Sequence, residues 1–108
     1  MFSKIIFCDE VEKQIDDLDK NILLRDISFF RDIETGKKSL QDYNIHNEGE
    51  TVRSNTKLRV LREFNVDGKK EFFEKHIIKS AGHRIHFLEK GTNIYIGYIG
   101  KHLKTKKF

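Results

Sequence analysis

The hydrophobic period of this 108-residue chain changes once, from that of a helix to that of a strand, and the change restricts the folds open to it. Over residues 11–33 apolar side chains recur every three or four positions. Val11, Ile15, Leu18 and Ile22 line one helical face. That stripe loses register after Asp19, Lys20 and Asn21, and a second set takes over: Leu23 or Leu24, Ile27, Phe30 and Ile33. Two helices are expected, or one with a sharp break, ending near Gly36 with Lys37 and Lys38 just beyond. Asp9 offers an N-cap, with Glu10 and Glu12 in the first turn, where the positive end of the helix dipole favours them. Residues 2–7 read as a short strand ahead of them.

From residue 57 onward the alternation is that of strands. Candidates run over 58–64, 71–78, 83–89 and 93–99, with Asp67-Gly68 as a strong hairpin turn and Gly91 in another. Arg84, His86 and Leu88 alternate with Ile85 and Phe87. In the last strand the same alternation places Ile94, Ile96 and Tyr98 on one side and Tyr95, Gly97 and Ile99 on the other. Residues 39–56 are polar and form a long irregular connection, and 101–108 form a basic tail. Helices grouped before consecutive hairpins predict one α+β domain over 1–108. An N-terminal strand and two helices pack on one face of a 4–5-stranded, mainly antiparallel sheet, leaving the other face open.

Charge narrows the function. Residues 1–54 carry a net charge of −4 and residues 55–108 a net charge of +8. So large a cationic excess attracts polyanions by releasing their counterions, and nucleic acid is the commonest such partner. The other reading is a solvated basic face. No apolar run approaches the ~20 residues of a membrane span. Acidic residues directly after Cys8 leave no room for a secretory leader, so the cytoplasm is the expected compartment and no membrane partner is expected. A lone cysteine excludes an internal disulfide and a cysteine-based zinc site. His83 and His86, three apart on a strand, face opposite ways and cannot share an ion, so neither a metal nor any other cofactor is expected. Spaced carboxylates and a lysine around Asp67, Glu71, Glu74 and Lys75 fit a metal-nuclease pattern only with the wrong spacing.

The opening Lys-Ile-Ile-Phe-Cys-Asp-Glu-Val-Glu-Lys-Gln-Ile-Asp-Asp-Leu-Asp-Lys resembles the start of RelE/ParE superfamily toxins. The closing His-Arg-Ile-His-Phe and Asn-Ile-Tyr-Ile-Gly-Tyr-Ile-Gly-Lys-His-Leu resemble their last two strands, and the element order and size agree. Residues 39–80 carry no motif that aligns. The resemblance implies a bacterial type II toxin held inactive by a cognate antitoxin protein. In the RelE-like branch it would be a metal-independent endoribonuclease that cleaves ribosome-bound mRNA by attack of the 2′-hydroxyl on the adjacent phosphate. The alternatives are a ParE-like gyrase poison or nucleic-acid binder of the same fold that does no chemistry, and a small phage or mobile-element inhibitor.

That chemistry needs a proton acceptor, a proton donor and cations around the phosphate. Arg84 matches the family's strand arginine, and its planar fork suits a phosphate. Otherwise it is an exposed arginine paired with Glu71, Glu74 or Glu89. His86 shares its face and is a candidate acid or base, or else plain surface. His102 lies near the chain end, where RelE-like nucleases carry a catalytic His or Tyr. Phe108 departs from the family's terminal tyrosine and cannot transfer a proton. Lys101, Lys104 and Lys106 would draw in phosphates, unless His102 and these lysines form only a solvated tail. Tyr95 would stack on a base or cover the sheet edge, and Lys75 is a further RNA-binding candidate.

Overall fold

The computed structural model describes residues 3–80 and 82–105. The chain forms β1 (Lys4–Phe7), α1 (Val11–Asp16), α2 (Lys20–Glu34), a 3-10 turn (Leu40–Asp42), β2 (Ile45–Asn47), α3 (Glu50–Ser54) and α4 (Thr56–Val60). β3 (Glu63–Val66), β4 (Lys69–Phe72), β5 (Lys75–Ser80), β6 (His83–Lys90) and β7 (Asn93–Lys101) follow. Five strands make one sheet in the order β1-β7-β6-β5-β2, with β1 parallel to β7 and the remaining pairs antiparallel. The fold is α+β, with α1 and α2 on one face of this sheet. No helix among the described residues is long and apolar enough to cross a membrane.

The break in the helical stripe is a capping event. α1 ends at Asp16, and the Asp19 side chain then accepts from the amides of Asn21 and Ile22 and starts α2. α1 has no side-chain cap. The Glu10 carboxylate is drawn away to Lys70 Nζ and the amide of Asn65, which ties the β3–β4 hairpin to the start of the helix. Phe29, Phe30 and Ile33 enter the core from α2, together with Asp26, while Leu24 and Ile27 face solvent. The stripe expected from apolar spacing is therefore rotated. Asp26 can sit inside because His83 on β6 meets its carboxylate at 2.8 Å.

The second face of the sheet is not open. Cys8, Phe64, Val66, Phe73 and Tyr95 form a smaller core there, under the β3–β4 hairpin. The Asp67-Gly68 turn appears where the sequence places it, with both residues at positive φ. The expected strand at 58–64 is half helix. Asn55 caps α4 by accepting from the amide of Leu58, and Leu58 is then buried. The stretch 71–78 divides at Phe73 and Glu74, whose backbone groups bond to Arg62 and Glu48 rather than to a sheet. The polar stretch 39–56 is ordered into a 3-10 turn, an edge strand and a short helix.

A bulge in β7 changes which side chains share a face. Register shifts between His86 and Phe87, opposite Tyr98 and Ile96, so Gly97 is the extra residue. Ile94, Ile96 and Ile99 all join the core beneath α1 and α2, whereas Tyr95 and Tyr98 face the second layer. This reverses the sides that strict alternation assigned to Tyr98 and Ile99. The Gln14 side chain accepts from the amide of Ile99 at 2.8 Å and donates to the carbonyl of Gly97 at 3.2 Å, replacing ladder bonds that the bulge removes.

Candidate functional site

On the second face, beyond the reach of the hairpin, four strands contribute one row of side chains. His46 on β2 is paired with His76 on β5, His76 with His86 on β6, and His86 with Tyr98 on β7. Direct cross-strand neighbours on one face are close enough to touch. The rings of His46 and His76 stack at 6.1 Å and those of His76 and His86 at 4.9 Å, and Tyr98 meets His86 edge-on at 5.4 Å.

Glu48 reaches this row from the residue after β2, anchored by its amide to the carbonyl of Glu74. Its Oε1 lies 2.9 Å from Arg62 Nε, 3.2 Å from His76 Nδ1 and 3.7 Å from His86 Nδ1. Glu48, Arg62 and His86 are almost wholly shielded from water. Burial alone would raise the Glu48 carboxyl, but His76 and the Arg62 guanidinium outweigh it and hold the group below the usual carboxylate range. Burial, reinforced by His76 and Arg62, pushes the His86 imidazole down to about 3, so it is neutral near neutral pH.

An open cavity of about 340 Å³ lies over one end of the row, lined by His46, Glu48, His76, Arg84, His102 and Thr105, among others. Arg84 follows on the same face, paired with Ile78 and Gly100. Its Nη1 donates to the carbonyls of Ser80 and His83, and its Nε has no partner. Among the described residues it forms no ion pair. Glu71 and Glu74, two of the carboxylates considered for it, are taken by Lys90 and Arg53. The His102 backbone is fixed by its amide to the carbonyl of Gly82. Partial burial, then the charge of Arg84, lowers the pKa of His102.

The expected residues divide clearly. Arg84 and His102 come together in the cavity. His86 shares their face but lies buried beneath it, so it cannot touch a substrate as the expected acid or base. Tyr95 is packed in the second core with its hydroxyl on Asp67, so no ring face is free to stack on a base. Lys75 is exposed but pairs with Phe87 on β6 and belongs to the opposite face from His76. Lys101 and Lys104 are exposed beside His102, and Lys106 lies outside the described residues. Glu48, Arg62 and His46 were given no role by sequence reasoning, and His76 was weighed only as the alternative to Lys75 on the opposite face of its strand. The sequence shows a histidine in each of the segments that become β2, β5 and β6, but only the register sets them opposite one another. The chain matches no protein-family model, no curated protein and no solved structure.

Proposed function

We propose that the chain cleaves RNA by attack of a 2′-hydroxyl on its own phosphodiester, and that it acts on ribosome-bound mRNA as the toxin of a toxin–antitoxin pair. One observation carries the reading: Arg84, which pairs with no carboxylate among the described residues, and His102 line the same solvent-open cavity, in the half of the chain that carries the cationic excess. The resemblance of both chain ends to RelE-like toxins supports it.

The chemistry follows from the groups present. Neutral His102 accepts the 2′-hydroxyl proton. The Arg84 guanidinium binds the non-bridging oxygens, where charge accumulates as the phosphorus becomes five-coordinate. His46, from the other side of the cavity, returns a proton to the departing 5′-oxygen. The products are a 2′,3′-cyclic phosphate and a free 5′-hydroxyl, and the chain itself supplies every proton carrier and cation the step requires. Lys101 and Lys104 extend the cationic surface for neighbouring phosphates. A cognate antitoxin would suppress activity by covering this cavity.

Purified chain added to a cell-free translation reaction should stop protein synthesis and leave mRNA fragments with 2′,3′-cyclic phosphate ends. Intact mRNA with normal protein yield would overturn the reading. Translation or gyrase inhibition that survives His102→Ala and Arg84→Ala without RNA cleavage would point instead to a binder of the same fold.

A further inference from the structure

Glu48 and His76 in the wall of the cavity, and His86 beneath it, are three side chains to which the cleavage reaction assigns no proton or substrate contact. Glu48, His76 and His86 each offer one ligand atom, and the three atoms lie within 4.8 Å of one another; Glu48 Oε1 is 3.2 Å from His76 Nδ1 and 3.7 Å from His86 Nδ1. Glu48 Oε1, His76 Nδ1 and His86 Nδ1 are out of solvent, and although they lie at ion-pair distance around Glu48 none makes a well-aligned hydrogen bond. Buried polar atoms are nearly always well paired, so three poorly aligned ones turned toward one point need an explanation. An ion supplies one. Zinc-class metals bind imidazole nitrogen and carboxylate oxygen at about 2.0–2.2 Å, which places ligand atoms roughly 3–3.6 Å from each other. The Oε1 to Nδ1 separations are 3.2 Å, within that range, and 3.7 Å, just beyond it.

Arg62 decides which ion fits. Its Nε lies 2.9 Å from Glu48 Oε1, also without an in-line hydrogen bond, while Nη1 is held by the carbonyl of Leu58. A carboxylate offers about four lone-pair sites on two oxygens, so one guanidinium does not exhaust it. The guanidinium does offset the carboxylate's charge. The site therefore depends on imidazole nitrogen, which disfavours calcium and magnesium and favours zinc, cobalt or nickel. Glu48 and His76 also line the cavity, so an ion held there would be reachable from solvent.

We propose that Glu48, His76 and His86 form a binding site for one divalent transition-metal ion of the zinc class. The histidine pair weighed in sequence, His83 and His86, is indeed split between faces; the ligand that completes His86 is His76, across the strand boundary. The proposal does not depend on the RNA reaction, and its test needs no RNA.

The full chain, stripped with chelator, is titrated with Co²⁺ and with Zn²⁺. The expected results are one equivalent bound, a visible cobalt d–d band of nitrogen–oxygen ligation, a rise in Tm with zinc, and zinc-induced shifts of the His76 and His86 imidazole ¹⁵N resonances. His76→Gln should weaken binding by at least about 100-fold, beyond the loss typical of an outer-shell change. His102→Ala should bind as the parent does. If His76→Gln fails to fold, the imidazole shifts in the parent chain decide the matter. Absence of the cobalt band and of any Tm shift would show a closed Arg–Glu–His network and overturn the proposal, as would unchanged affinity in folded His76→Gln.

Discussion

The Glu48 carboxylate and the Arg62 guanidinium meet at 2.9 Å with both side chains almost entirely removed from water. Neither residue lies in a strand of the main sheet. Their contact joins the segment after β2, where Glu48 lines the cavity, to the segment between α4 and β3. Removing one member of a buried pair strands the other charge, which typically costs about 3–5 kcal/mol. Arg62→Ala should therefore lose stability on that scale in denaturant unfolding. Joint replacement by Glu48→Leu and Arg62→Met should recover most of it, because no unpaired charge then remains inside.

Gly97 sits where a side chain has no room. A Cβ there would lie 2.3 Å from the Phe64 ring and 2.8 Å from that of Phe73. Gly97→Ala should cost about 1–3 kcal/mol through forced displacement of the hairpin. Thermal unfolding measures the loss, and pairing the change with Phe64→Leu should reduce it.

Burial, reinforced by Glu10 and Asp9, pushes the Cys8 thiol up to about 12. The native chain should resist alkylation by iodoacetamide at pH 8 and react readily once unfolded, as mass spectrometry would show. The same shift has a stability consequence. Between pH 9 and 12 the unfolded thiol gives up its proton while the folded one keeps it, so stability falls as pH rises through that window. Cys8→Ala should flatten this part of the curve. Rapid native labelling at pH 8 would refute the assignment.

RNA cleavage should follow a bell-shaped pH profile, with an acidic limb set by His102, whose pKa is lowered from the ordinary histidine value, and an alkaline limb where the proton donor to the leaving oxygen is lost. Arg84→Ala should lower the rate by roughly 10²–10³, by analogy with losing one charge-stabilising donor. It should also move the acidic limb to higher pH, since the Arg84 charge is one cause of the lowered value. A pH profile of the variant that kept its acidic limb in place would separate Arg84 from His102.

Element types were largely legible from residue spacing. The helical period marked α1 and α2, Asp19 marked the break between them, Asp67-Gly68 marked a hairpin, and the later alternation marked the antiparallel strands. The errors have local physical causes. Asp26 entered the core in place of Ile27 because His83 satisfied its carboxylate. Residues 56–60 became helix because Asn55 capped them, against the strand-like appearance of the stretch. Tyr98 and Ile99 changed sides because Gly97 added a residue to the strand.

The sequence by itself determined the α+β class, the cationic second half, and the parity that places Arg84 and His86 on one face. Only the tertiary structure decided that His86 is buried, that His102 meets Arg84, and that Glu48, Arg62, His76 and His86 converge. Alternation states which side of a strand a residue occupies, but not which residue of the neighbouring strand lies opposite. Register comes from turns, bulges and packing summed over the whole sheet. The cluster gathers residues from the end of β2, the end of α4, β5 and β6, and no local pattern encodes that meeting.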